Sequence, residues 1–343
     1  MKHALVTGAS GLVGSEAVVY FDRLGWKVHG VDNNMRRSFF GADGDTTPNL
    51  QRLQRTCARY EHHDLDIRRR DDLTDLVERL RPGIVIHCAA QPSHDLARDR
   101  VFDDFEINAL ATLNLLEACR HLCRDTPFVF MSTNKVYGDA PNEIPVVEQA
   151  TRWEYARPED WHGVTEDCRI DRTLHSLFGA SKAAADLLVQ EYGRYFDMPT
   201  VCFRAGCITG ANHAAAELHG FLAYLARCFR ENRPYRIFGY KGKQVRDNIH
   251  AYDLCAAFAA FAEAPQPARV YNIGGGRGNS ISVLEAIERF GELFDRRIQV
   301  DYVDDARRGD HICYISDLRA FERDYPGWRL EVSLERIFSA FAS

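Results

Sequence analysis

The run Thr7-Gly8-Ala9-Ser10-Gly11-Leu12-Val13-Gly14 follows the apolar stretch HALV and opens the helical stretch SGLVGSEAVVYFDRLG. Glycines three apart at such a junction let the chain turn sharply, bring backbone close to a ligand, and pack helix on strand. The helix start then presents backbone N–H groups and a positive dipole end to a phosphate. A glycine triplet alone is a weak signal, and its context decides. The next apolar stretch, KVHGVD, ends in Asp32. That is about twenty residues on, where a carboxylate bonds ribose hydroxyls and repels a 2′-phosphate. Gly8, Gly11, Leu12, Val13, Gly14, Asp32 and Asn33 therefore predict a bound dinucleotide, NAD rather than NADP, with Arg36 and Arg37 as the opposing signal.

Strand-like and helix-like stretches alternate through the first half of the chain. HALVTG, KVHGVD, YEHHDLDI, GIVIHCAA and PFVFMST carry strand character; SGLVGSEAVVYFDRLG, RDDLTDLVERLR and FEINALATLNLLEACRHL carry helical apolar spacing. That order predicts an α/β, Rossmann-type, doubly wound parallel sheet. After the helix around Ser181, TVCFRAG adds a further strand, and the pattern loosens into a smaller α+β C-terminal substrate lobe. The expected division is 1–204 with about 245–265 for the dinucleotide domain, and 205–244 with 266–343 for the lobe. The polar stretch from Asn142 to Thr173 reads as a long loop.

Composition narrows the function class. With 45% hydrophobic and 27% charged residues over 343, the chain has ordinary soluble globular make-up. A net charge of −6 gives no reason to expect nucleic acid. MKHALVTGAS goes directly into a strand, and no apolar run reaches bilayer length, so a cytoplasmic protein without membrane contact is expected. The ten cysteines include no CxxC pair, and Cys88 and Cys202 lie in apolar runs as reduced thiols would. His213, Glu217 and His219 cluster in ANHAAAELHG without matching partners elsewhere, and no metal site is expected.

Further motifs resemble one family. Asp66-Ile67, Cys88-Ala89-Ala90, Asn108, the string STNKVYGD from Ser132 to Asp139, the Ser181-Lys182 pair, GKQVRD around Arg246 and RRGD from Arg307 all match. The chain resembles the extended short-chain dehydrogenase/reductases that act on nucleotide sugars, and STNKVYGD is similar to their 2-epimerases of CDP-sugars. The resemblance implies NAD held also by Asp66, Ile67, Ala89, Ala90, Gln91, Asn108 and Lys182. It implies a nucleoside-diphosphate sugar, CDP-linked by preference, held by Ser93, His94, Arg204, Glu217, Arg246 and Arg307, in a homodimer. The chemistry implied is transient oxidation of a sugar carbon and return of hydride on the other face, with C2 favoured. Decarboxylation or an unusual dehydration through the same keto-sugar, and a non-catalytic NAD sensor, are the other readings. Family dehydratases place Asp-Glu after the threonine matching Thr133; here Asn134-Lys135 stands there, and asparagine supplies no acid.

One position departs from the family. In HSLFGASK the residue four before Lys182 is Phe178, where the family has the tyrosine that exchanges the hydroxyl proton. Three accounts stand. Lys135, two residues after Thr133 and among cations that favour a neutral amine, takes over as base. Alternatively His94 or Asp95 serves, or Phe178 replaces a natural tyrosine. On the first account the catalytic set is Thr133, Lys135, Lys182 and Phe178.

Overall fold

A computed structural model describes residues 1–93, 96–210, 220–306 and 309–342. Its core is a seven-stranded, all-parallel sheet. The first five strands in the chain are β1 (His3–Thr7), β2 (Lys27–Val31), β3 (Tyr60–His63), β4 (Ile84–His87) and β5 (Phe128–Thr133). Across the sheet the order is Arg269–Ile273, Thr200–Ala205, β5, β4, β1, β2, β3. The chain order reverses beside β1, and the crevice that opens at such a point above the strand ends is where this architecture binds ligands.

Both faces of the sheet are covered, which is why its central strands read as continuous apolar runs. Ala4, Val6, Val129 and Met131 pack one way, with Ala17, Val18 and Phe21 of helix α1 (Leu12–Arg23) and with Leu254, Phe258 and Phe261. Leu5, Val85, Phe128 and Phe130 pack the other way, with Leu73, Leu76, Leu115, Leu116 and Val189. The doubly wound sheet expected from the sequence is present.

Three expectations change in detail. Arg269–Ile273, assigned by pattern to the second lobe, pairs with Thr200–Ala205 as a sheet edge strand, and Phe321 and Trp328 pack into the same core. The 142–173 stretch is not a bare loop: Val146–Glu148 and Trp153–Tyr155 form an antiparallel pair, and Val164 bridges Ser316. The helix expected over FEINALATLNLLEACRHL is present but starts earlier, at Val101, and passes through a π-helical turn over Glu106–Leu110 before Ala111–Leu122. The smaller lobe has its own core, where Leu225 and Phe229 meet Tyr235, Ile237, Phe290 and Phe338.

A polar pin crosses the sheet under the cofactor end. Buried His87 bonds Thr7 Oγ1 through Nδ1 at 2.7 Å and Thr112 Oγ1 through Nε2 at 2.9 Å. Burial, with Lys182 nearby, drops its pKa to about 3. Unfolded, His87 takes up a proton near its ordinary value of about 6.5. Between these values the unfolded state binds more protons, so the neutral pin's contribution is present at pH 7 and is lost as pH falls below about 6.5. The stability gap between the natural chain and His87→Gln is expected to shrink by about 2–3 kcal/mol from pH 7.5 to 4.5. Urea unfolding at the two pH values measures it, and an unchanged gap would contradict the buried neutral imidazole.

Candidate active site

Above the strand ends lies a cavity of about 950 Å³, walled by the sheet's loops on one side and by Phe221–Ala223 and Tyr235–Phe238 of the smaller lobe on the other. At its cofactor end Gly8, Gly11, Leu12, Val13 and Gly14 form the floor. Gly8 has φ +67°, and a Cβ at Gly14 would stand 2.1 Å from the Gly8 carbonyl oxygen. Glycine is required at both positions, one for conformation and one for helix-on-strand contact. Asp32 accepts the Ser10 N–H at 2.9 Å and the Asn34 N–H at 2.8 Å, which fixes its carboxylate on the cavity wall at the end of β2. Burial pushes its pKa up from the ordinary carboxylate value, against those two N–H donors. Asn33, Asp66, Ile67, Ala89 and Ala90 complete this wall. The side-chain-free cradle at a helix start and the fixed carboxylate fit the diphosphate and ribose of NAD.

The other end gathers Thr133, Asn134, Lys135, Phe178, Lys182, Cys88, Cys207, Arg246 and Asp310. Lys182 is held from below: its Nζ donates to the Met131 carbonyl at 2.7 Å and lies 4.1 Å from the Phe130 ring centroid. Burial lowers its pKa to about 8, although Asp186 pulls the other way. Thr133 Oγ1 accepts the Lys135 N–H at 3.2 Å as the cap of the turn that carries Lys135. The Lys135 ammonium donates to the Gly309 carbonyl at 2.9 Å and to Asp310 Oδ1 at 3.3 Å. Arg246 Nη2 donates to the same Asp310 oxygen at 2.6 Å, so one carboxylate gathers both cations at the lobe side. Burial raises both thiols, Cys88 to about 12 and Cys207 to about 11, so neither is a thiolate at neutral pH. The buried Phe178 ring brings no hydroxyl to the cavity.

Residues 4–274 match the model of the NAD dependent epimerase/dehydratase family. The chain belongs to that family. As a member of it, the protein is an NAD-dependent enzyme. The CDP-paratose 2-epimerase of Salmonella typhi is 31% identical over 322 residues, 92% of this chain and 91% of that one. A dTDP-glucose 4,6-dehydratase of Haemophilus influenzae is 25% identical over 346 residues, covering 98% and 90%. A solved structure of the UDP-glucuronic acid 4-epimerase of Bacillus cereus is similar with a TM-score of 0.80 over 99% of this chain and 98% of that one. It is a tyrosine-to-phenylalanine variant in complex with UDP-4-deoxy-4-fluoro-glucuronic acid and NAD. At 24% identity that likeness speaks for the fold alone.

Several residues that family resemblance placed at the ligands turn out to be framework. Gln91 and Asn108 are buried and bonded to one another and to Asp104, at 2.9 Å for the Gln91 N–H to Asn108 Oδ1. Ser181 donates into the same knot at Asp104. Ser93 is buried and accepts the Leu96 N–H, closing the next turn. Arg204 is buried in a two-point ion pair with Asp186 and bonds Tyr137. None of these four predicted ligands lines the cavity; they hold the loop after β4 and the strand ends in place. His94, Asp95, His213, Glu217, His219 and Arg307 lie outside the described residues. Reading the sequence missed Asn49, whose amide donates to the Ser10 carbonyl at 2.8 Å and ties the segment Thr47–Thr56 over the glycine loop. It also missed Asp310 as a shared anchor, though the residue stands within the RRGD string.

Proposed function

We propose that this enzyme epimerises a nucleoside-diphosphate hexose, with C2 of a CDP-hexose as the reacting centre. The observation that carries this reading is the stretch Thr133-Asn134-Lys135 on the cavity wall, which puts an amide and an amine where a dehydrating enzyme needs a carboxyl acid. Hydride removal and return at one carbon needs no such acid. NAD, when bound, supplies the acceptor and donor of that hydride. Thr133 is suited to bond the reacting oxygen, Lys135 to hold its proton, Lys182 to orient the cofactor ribose, and Arg246 to take a diphosphate oxygen pair. The likeness to a CDP-paratose 2-epimerase supports the choice of base and carbon. Incubating the enzyme with CDP-, UDP-, GDP- and dTDP-hexoses and reading products by NMR tests it. An equilibrium of C2 epimers from a CDP-hexose is expected, and a 4-keto-6-deoxy product would establish dehydration instead.

The oligomer is proposed to be a dimer formed through the exposed apolar residues Phe102, Phe105 and Leu110 together with Leu177, Leu187 and Tyr195. Phe102 is 84% and Tyr195 80% exposed, leaving apolar surface that a second copy would cover. A solution mass of one chain would refute it. Among the described residues no helix is long and apolar enough to cross a membrane.

A further inference from the structure

Away from the cavity, the outer part of the sheet carries a row of imidazoles across three neighbouring strands. His3 on β1, His29 on β2 and His63 on β3 follow one another: His3 Nδ1 lies 3.0 Å from His29 Nε2, and His29 Nδ1 lies 3.1 Å from His63 Nε2. Glu61 stands opposite His29 in the β2–β3 register, and strand alternation puts 29, 61 and 63 on one face. Its Oε2 is 3.8 Å from His29 Nδ1 and its Oε1 is 3.8 Å from His63 Nε2.

We infer that His29, His63 and Glu61 form a binding site for one divalent transition-metal ion of the zinc type. A tetrahedral ion bound to two imidazoles at about 2.0–2.1 Å holds their nitrogens about 3.3 Å apart. The observed 3.1 Å is close to that span, and Glu61 completes a two-nitrogen, one-oxygen set with a fourth position left for water. The surroundings have the form that metal ligands require. In the tautomer in which His29 Nε2 donates to His3 Nδ1, 3.0 Å away, the Nδ1 lone pair of His29 faces His63 and Glu61. For His63 to bind, its proton moves to Nδ1, leaving the Nε2 pair free. Lys27 holds Glu61 Oε2 at 2.7 Å, leaving Oε1 for the ion. Access is open, because the Glu61 side chain is 47% and His63 18% exposed while His29 is buried. Sequence spacing gave no hint of this group, since the ligands come from two strands and no CxxC or HxxxH signature exists. A bound ion would strap the edge strand β3 to its neighbour.

The test uses the full chain, stripped with a chelator and titrated with Zn(II) by calorimetry, with Co(II) absorption as a spectroscopic check. One ion per chain is expected, with a melting temperature that rises with zinc concentration, as for any ligand of the folded state alone. His63→Gln and Glu61→Gln, both at partly exposed positions, should each weaken zinc by more than the about 10–100-fold that loss of an outer partner costs. Absence of one-to-one binding overturns the site. Zinc binding that survives both substitutions unchanged, with the ion on the cysteines for instance, overturns it equally.

Discussion

Lys135→Ala is expected to lower kcat by about 10²–10⁴-fold, the usual worth of a positioned general base, while NAD remains bound. The expectation comes from elimination around Phe178. Tyr235, in the smaller lobe, is the one tyrosine among the described residues that line the cavity, so no phenol stands at the family's usual place. Cys88 and Cys207 are pushed far above neutral, and the Lys182 amine is engaged with the Met131 carbonyl beneath the cofactor site. Of the candidate bases named from the sequence, Lys135 is the one among the described residues, seated on the turn that Thr133 caps, while His94 and Asp95 lie outside them. It stands there as an ammonium donating to Asp310, so it must leave that carboxylate before it can accept a proton. Substrate phosphate competing for Arg246, the other cation on Asp310, offers the occasion for that release. Phe178→Tyr is the paired measurement. If Lys135 is the base, restoring a phenol changes the rate by no more than about tenfold, or about 1.4 kcal/mol of barrier. A gain of several orders of magnitude would assign the proton to the hydroxyl and remove Lys135 from the role.

The cofactor half of the site was legible because its chemistry is local. The glycines act through backbone conformation at a strand-to-helix turn, and Asp32 acts from the end of the next strand, so both are readable from adjacent segments. Residues whose role depends on what folds against them were not. Gln91 and Asn108 carry the side chains of ligand contacts, yet the π-helical turn over Glu106–Leu110 faces Asn108 inward to Gln91 and Asp104. Arg269–Ile273 lies after a loosened stretch, and its place beside Thr200–Ala205 is a crossover that no local pattern marks. The His29–His63–Glu61 group needs the β2–β3 register before it exists at all. What the sequence hides is long-range pairing, and the buried polar groups follow from it.

Arg204 shows how large the difference between the two kinds of role is. As a substrate ligand, its loss would raise KM and leave the fold alone. In the structure its Nη2 donates to Asp186 Oδ1 at 2.7 Å, its Nε to Oδ2 at 3.1 Å, and its Nη1 to the Tyr137 hydroxyl at 3.1 Å. Asp186 also accepts the Ser132 hydroxyl at 2.5 Å and the Gln190 amide at 2.7 Å, so the pair ties the helix Leu177–Phe196 to the strand end that carries Thr133. Both side chains are almost entirely buried, at 5% and 1% exposed. Arg204→Ala leaves the Asp186 carboxylate without its counter-charge in a dry interior, and a loss of about 3–5 kcal/mol is expected. For a domain whose whole stability is about 5–15 kcal/mol, that is a large fraction. Urea unfolding should show a much lower midpoint with a similar slope. The double replacement Arg204→Met with Asp186→Leu should recover only part of the loss: no charge is left unpaired, but the Ser132 hydroxyl and the Gln190 amide lose their acceptor. A variant Arg204→Ala that unfolds like the natural chain but binds nucleotide sugar poorly would return Arg204 to the substrate.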